Sequence, residues 1–208
     1  MAETQRQAKR SRKTKETQVF VQLNLDEPAV PEIETGVGFF DHMLTALGTH
    51  GRFGLIVNAV GDLHTDQHHL VEDVGIVLGQ VLADALGEER RIRRFAHAYA
   101  PLDESLARAV VDISGRPYLQ YGVKISRPLV GSFDTDLVRE FYQAFVSNAL
   151  INLHLDLLHG DNAHHQIEAM FKATALALRD AVRLDRELTG IPSTKGTLTE
   201  NAARTQEP

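Results

Sequence analysis

The sequence predicts an α/β fold built from two copies of one unit, on the strength of three observations. A short pattern, His-His-x-x-Glu, occurs at 68–72 and again at 164–168, with 96 positions between the copies. Each copy opens a long stretch of helical periodicity and follows a short apolar strand. The order helix, strand, motif helix therefore runs over about 38–86 and repeats over about 134–186. A repeated order and a repeated motif argue for internal duplication more strongly than either does alone. Helices packed on mainly antiparallel or mixed sheets follow from this alternation, though strand order does not.

The elements are read as follows. Residues 1–14 are basic and polar with no apolar stretch, which predicts a flexible tail and excludes a secretory signal. Val19, Val21, Leu23 and Leu25 alternate with polar residues, so 17–26 is a half-buried strand. Pro28 and Pro31 bracket a turn. Phe40, Met43, Leu44 and Leu47 share one side of a helix over 39–50, which Gly51 and Gly54 end. A strand follows at 55–60. The stripe Leu70, Val74, Val77, Leu78, Val81 and Leu82 makes 66–86 a long helix, closed by Gly87.

In the middle, 94–122 holds two or three strands with a turn at Gly115-Arg116-Pro117. Leu137, Phe141, Phe145 and Leu150 mark a helix over 134–150. A strand at 153–157 precedes a helix that starts near Ala163 and continues past Arg183. The halves are placed at 15–100 and 101–196, with a second flexible tail at 197–208.

Composition narrows the function. Twenty-two basic and 28 acidic residues leave a net charge of −6, which argues against a general nucleic-acid or acidic-membrane binder. The chain has no cysteine, so disulfides, thiolate ligands and a cysteine nucleophile are excluded; this leaves the compartment open and fits a cytoplasmic protein. No apolar run approaches the roughly 20 residues that span a bilayer.

The doubled motif points to transition-metal chemistry. Neutral imidazoles and carboxylates without sulfur suit manganese, iron, cobalt, nickel or zinc. On a helix, His68 and His69 each lie within one turn of Glu72, but adjacent residues point about 100° apart. Both histidines of one motif cannot readily join the same ion, so the motifs are expected to share ligands crosswise in a paired site. A duplicated helix start could favour polar residues in general, but that does not explain the same His, His and Glu in both copies. His42 stands 26 positions before His68 and is a further ligand candidate; Glu140 stands 24 before His164 in the matching place. His50, two turns beyond His42, could face the same pocket. His154 is read as a hydrogen-bonded residue inside a strand, and His97 and His159 carry no functional reading.

Beyond the motif itself, several segments closely resemble the imidazoleglycerol-phosphate dehydratase family. They are Thr35-Gly36-Val37-Gly38-Phe39-Phe40-Asp41-His42, Gly61-Asp62 with His68-His69 and Glu72-Asp73, and Pro101-Leu102-Asp103-Glu104. Further along come Asp112-Ile113-Ser114-Gly115-Arg116-Pro117-Tyr118, the His164-His165 segment to Ala173, and Pro192-Ser193-Thr194-Lys195-Gly196. The likeness covers nearly all of 14–196. It implies two halves, each with a roughly four-stranded sheet packed by two helices. It also implies two manganese ions per active site and a homo-oligomeric cage of about 24 subunits, built from trimers, with sites between subunits.

By that resemblance one ion takes His42, His69, Glu72 and His164, and the other takes His68, His165, Glu168 and position 140. Part of the family has histidine at this last place, so Glu140 could ligate directly, ligate through water, or yield to another group. The implied substrate is a small phosphate ester, with Glu16 as first candidate for proton transfer and Glu72 and Glu168 as alternatives. Arg94, Arg116, Lys172, Ser193 and Lys195 match substrate contacts, together with His42, His50, His68, His69 and His164. The implied reaction removes water from imidazoleglycerol phosphate. A dinuclear hydrolase or a metal-storage protein would compete, but the first wants a bridging carboxylate and the second gives no reason for the cationic residues.

Overall fold

A β-hairpin opens each half of the chain and a long helix closes it. The structure, a computed structural model, describes residues 6–87, 91–185 and 187. The first half comprises β1 (Gln7–Lys13), β2 (Thr17–Asn24), β3 (Glu32–Glu34), α1 (Gly38–Gly51), β4 (Gly54–Gly61) and α2 (His68–Leu86). The second comprises β5 (Phe95–Leu102), β6 (Ser105–Asp112), β7 (Tyr118–Gly122), α3 (Leu137–Ala149), β10 (Asn152–His159) and α4 (Ala163–Ala181). A two-stranded insertion, β8 (Leu129–Val130) and β9 (Phe133–Asp134), precedes α3.

The sheets are β1-β2-β4-β3 and β5-β6-β10-β7. In each, the first three strands pair antiparallel and the last, β3 or β7, runs parallel to its neighbour. The duplication expected from sequence is thus present down to strand direction. Both helices of the α1/β4 and α3/β10 junctions end on a non-glycine residue in the left-handed region, Arg52 (φ 55°) and Leu150 (φ 56°). These two caps align the halves.

The helices lie in one layer, where α1 packs against α4 and α2 against α3, so each pair draws one helix from each half. Apolar helix stripes and inward strand residues form a continuous core, including Val19, Val21, Leu55, Val57, Leu153 and Leu155. The α2–α3 contact is close because Gly75 and Gly79 face α3. A Cβ on Gly75 would stand 2.8 Å from the Phe141 carbonyl oxygen, and one on Gly79 would meet the Phe145 carbonyl. Among the described residues no helix is long and apolar enough to cross a membrane.

Several expectations need correction. Residues 7–13 are an edge strand in full backbone register with β2, Gln7 opposite Asn24 and Lys13 opposite Gln18, not a tail. Two of its arginines form ion pairs, Arg12–Asp73 at 3.0 Å and Arg10–Asp84, and Arg6 just before it pairs with Asp26 at 2.5 Å. A charged, largely exposed edge strand has no apolar alternation to read, and charge is what keeps such an edge from pairing with other chains. The halves divide between 87 and 95, not at 100, because β5 pairs with β6. The α4 helix stops at Ala181 and α2 starts at His68. The segment after Pro31 forms β3. His154 lies in β10 as expected, but its side chain is on the exposed sheet face beside the Tyr118 ring (centroids 6.0 Å apart).

Candidate functional site

Asp66 and Asn162 set up the two motif helices in the same way. The Asp66 carboxylate accepts the His68 N–H (2.8 Å), and the Asn162 side-chain oxygen accepts the His164 N–H (2.9 Å). Each satisfies a backbone donor that a helix start leaves without an intrahelical partner. The His-His pair therefore lies in the first turn of both α2 and α4.

At the α4 end, three elements of the expected site converge. His42 Nε2 lies 3.0 Å and His164 Nε2 3.2 Å from the same Glu168 oxygen, Oε2. Possible ligand atoms of His42, His164 and Glu168 all fall within 4.8 Å of one another. Asp41 clamps the loop into α1, accepting the Thr35 N–H (2.9 Å) and hydroxyl (2.5 Å), and this fixes the neighbouring His42. Phe39 packs edge-on against the His164 ring, with centroids 5.2 Å apart. Lys172 Nζ holds the other Glu168 oxygen at 2.6 Å. Burial would raise the Glu168 pKa, but hydrogen bonds from Lys172 and His42 outweigh it and bring it down to about 2. His50 is held below the ordinary histidine value by burial and by the Lys172 cation.

At the α2 end, His68 and Glu140 line one cavity with Asp66 and Asp136. This mirrors the first cluster: a residue of α1 or α3 meets the motif helix of the other half. Within the chain Glu168, not Glu72, accompanies His42 and His164, because α1 packs on α4 while α2, which carries Glu72, packs on α3.

The second histidines turn elsewhere. His69 Nδ1 bonds Asp62 at 3.1 and 3.3 Å, with Glu16 Oε2 at 3.8 Å. His165 Nδ1 bonds Glu104 at 2.8 Å. These carboxylates raise both histidines above the ordinary value. Glu104 lies well below the usual carboxylate range through its bond with His165 and the Asn162 N–H. Neither Asp62 nor Glu104 was assigned a role from the sequence. Both lie in segments that carried the family likeness, but neither has a helical spacing to its histidine.

The cationic residues are divided. Lys172 is in the α4 cluster. Arg94 bonds Asp112 (2.7 Å) at the start of β5, and the Arg116 carbonyl accepts from Asn152 (2.6 Å) at the start of β10. Both arginines sit at the end of the second sheet opposite His164, a strand length of about 25 Å away. One chain does not bring them together with the histidines. Ser193 and Lys195 lie outside the described residues.

Comparison with known proteins fits this arrangement. A model described as imidazoleglycerol-phosphate dehydratase matches residues 35–178. The chain is 56% identical over 194 residues to the imidazoleglycerol-phosphate dehydratase of Aminomonas aminovorus, covering 93% of this chain and 100% of that protein. It is 53% identical over 193 residues to that of Streptococcus mutans, with 93% and 100% covered. The crystal structure of the Staphylococcus aureus enzyme superposes with a TM-score of 0.79 at 42% identity, covering 86% of this chain and 99% of that one. That of the Pyrococcus furiosus enzyme gives 0.79 at 36%, covering 90% and 99%. Matched over most of its length by sequence and by fold, the chain belongs to the imidazoleglycerol-phosphate dehydratase family, the hydro-lyases of histidine biosynthesis.

Proposed function

We propose that the chain dehydrates D-erythro-imidazoleglycerol phosphate to imidazoleacetol phosphate at a site that holds two manganese ions. The observation that carries this reading is the convergence of His42, His164 and Glu168, mirrored by His68 and Glu140 across the helix layer. Two nitrogens and a carboxylate oxygen, with no sulfur, are a donor set that manganese accepts. Between neighbouring subunits one ion takes His42, His69, Glu72 and His164 and the other takes His68, His165, Glu168 and Glu140, each motif lending one histidine to the other motif's ion. When bound, the metals supply Lewis acidity toward the imidazole nitrogens of the substrate.

The proton to be removed is on a carbon with no adjacent carbonyl, so it is not acidic at the outset. Loss of the ring N–H proton lets the imidazolate expel the ring-adjacent hydroxyl, which leaves as water after taking up a proton. The resulting diazafulvene makes the neighbouring C–H acidic. A base removes that proton, a ring nitrogen is reprotonated, and the enol formed tautomerises to the ketone. Glu16 is suited to the C–H step: it is at the tip of the first hairpin, 55% exposed, and reaches within 3.8 Å of His69. Lys172 and His50, next to the α4 cluster, face substrate. Arg94, Arg116, Ser193 and Lys195 grip the phosphate; guanidinium forks match phosphate oxygens.

Because the arginines stand a sheet length from the histidines, they serve the site of a neighbouring subunit in a closed cage of about 24 subunits built from trimers. The helix-free face of the second sheet supports assembly. It exposes Phe95 and Tyr99 of β5, Val110 of β6 and Tyr118 of β7 in adjacent rows, an apolar surface that monomers seldom display. Purified protein assayed for imidazoleacetol phosphate with and without manganese tests the reading. Metal-dependent product is expected, and no product in the manganese-loaded protein would overturn it.

A further inference from the structure

In each half, the histidine that faces away from its own helix pair has Nδ1 on a carboxylate outside the proposed ligand sets. Asp62 reaches His69 from the connection between β4 and α2, seven residues upstream. Glu104 reaches His165 from the β5–β6 turn, 61 residues upstream. The same contact is therefore built twice from unrelated positions: aligned on the strands, the place of Asp62 in the second half is Gly160. Independent construction of one contact marks a requirement of the histidine, not a residue inherited from the duplication.

We propose that Asp62 and Glu104 are positioning residues that fix the ring plane of His69 and His165 and hold the proton on Nδ1, leaving Nε2 of each bare to bind a transition-metal ion. The inference rests on the metal site proposed above. An imidazole ligand must offer a nitrogen without a proton, and a carboxylate on the other nitrogen selects that tautomer and orients the ring. Glu104 is itself locked. Its Oε1 accepts the Asn162 N–H (2.9 Å), the Asp161 N–H (3.2 Å) and the Ser105 hydroxyl (3.0 Å), while Oε2 faces His165. The carboxylate cannot swing without releasing the loop that leads into α4. Asp62 has both oxygens within reach of His69 and a side chain only 19% exposed.

The test uses the isosteric variants Glu104→Gln and Asp62→Asn in the full-length assembled protein. In Glu104→Gln the amide oxygen keeps the backbone N–H groups of 161 and 162, and the amide NH2 then faces His165 Nδ1. That selects the opposite tautomer, with the proton on the nitrogen meant for the metal. Manganese titration followed by calorimetry, or by the electron paramagnetic resonance signal of free ion, should show affinity weakened about 10–100-fold in either variant. The melting temperature of the metal-free protein should be unchanged. Asp62 makes no bond to the α4 loop, so Asp62→Asn keeps the test valid if Glu104→Gln fails to fold. Unaltered manganese affinity in the variants, or a lowered melting temperature with normal affinity, would overturn the positioning role and leave the proposed function standing. Unsubstituted protein that takes up no manganese would overturn both.

Discussion

Glu16 and Glu104 occupy the same place in the two halves, each one residue before the second strand of its hairpin, and each faces the second histidine of its half. Their settings differ. Glu104 is tied by two backbone N–H groups, a hydroxyl and His165, whereas Glu16 reaches no closer than 3.8 Å to His69. The first half fastens its hairpin to its helix through another residue: buried Asp73 accepts the Thr17 hydroxyl and the Arg12 guanidinium (3.0 Å). The matching place on α4 is Ala169. With Asp73 holding the hairpin and Asp62 holding the histidine, Glu16 is left without a structural duty. Duplication followed by a redistribution of carboxylates can thus turn one hairpin tip into a clamp and leave the other free for the proton transfer proposed for it.

The broadest way to break this comparison is to remove ligands from each half. His164→Ala and His69→Ala should each lower kcat/KM by more than about 100-fold, beyond what an outer-shell change does, with loss of bound manganese measured by elemental analysis. His159→Ala should retain both, and equal losses in all three would dissolve the ligand assignment. Next comes the hairpin pair itself. Glu16→Gln should lower kcat by about 10²–10⁴-fold while metal affinity and melting temperature stay put. Glu104→Gln should instead act through metal affinity, and identical profiles for the two would mean that the halves have not diverged in this way.

Helix packing gives a smaller contrast. The α2–α3 contact depends on Gly75 and Gly79, whereas α4 contains no glycine. Gly75→Ala should destabilise the chain by about 1–3 kcal/mol in denaturant unfolding through overpacking against Phe141. No change would show that this helix pair has slack.

The smallest effect concerns Asp26 and Asp112, which do not share a strand position but are each paired with the arginine that precedes its hairpin, Arg6 or Arg94. Burial would raise the Asp26 pKa, but the Arg6 bonds bring it below the ordinary 3.8. A carboxylate depressed in the folded state adds stability above its unfolded pKa and loses it as pH falls through the folded value. Melting curves of Asp26→Asn and unsubstituted protein should therefore differ at neutral pH and converge in acid below about pH 4. A gap that persists at low pH would assign the effect to packing.

The elements with an apolar face were legible in the sequence: all four helices, β2, β4 and β10 fall close to where periodicity puts them. The strand β1 was not, because its residues are charged and its pairing partner, not its own pattern, makes it a strand. The histidine pairs were legible through local spacing. The grouping of Glu168 with His42 depends on which helices pack together, and Asp62 and Glu104 depend on where strand connections end, so neither could be read along the chain.

The charged edge strand β1 also bears on how the protein can be handled. It is the outer rail of the hairpin whose tip carries Glu16, and its seven residues are joined to β2 residue for residue. Proteolytic trimming back to Thr14 would take away that rail. It would leave Glu16 near a frayed end and uncover a row of β2 backbone groups, open to a strand from a neighbouring molecule. An N-terminal affinity tag cut too close to the fold would thus cost activity and solubility at once, with every histidine still in place.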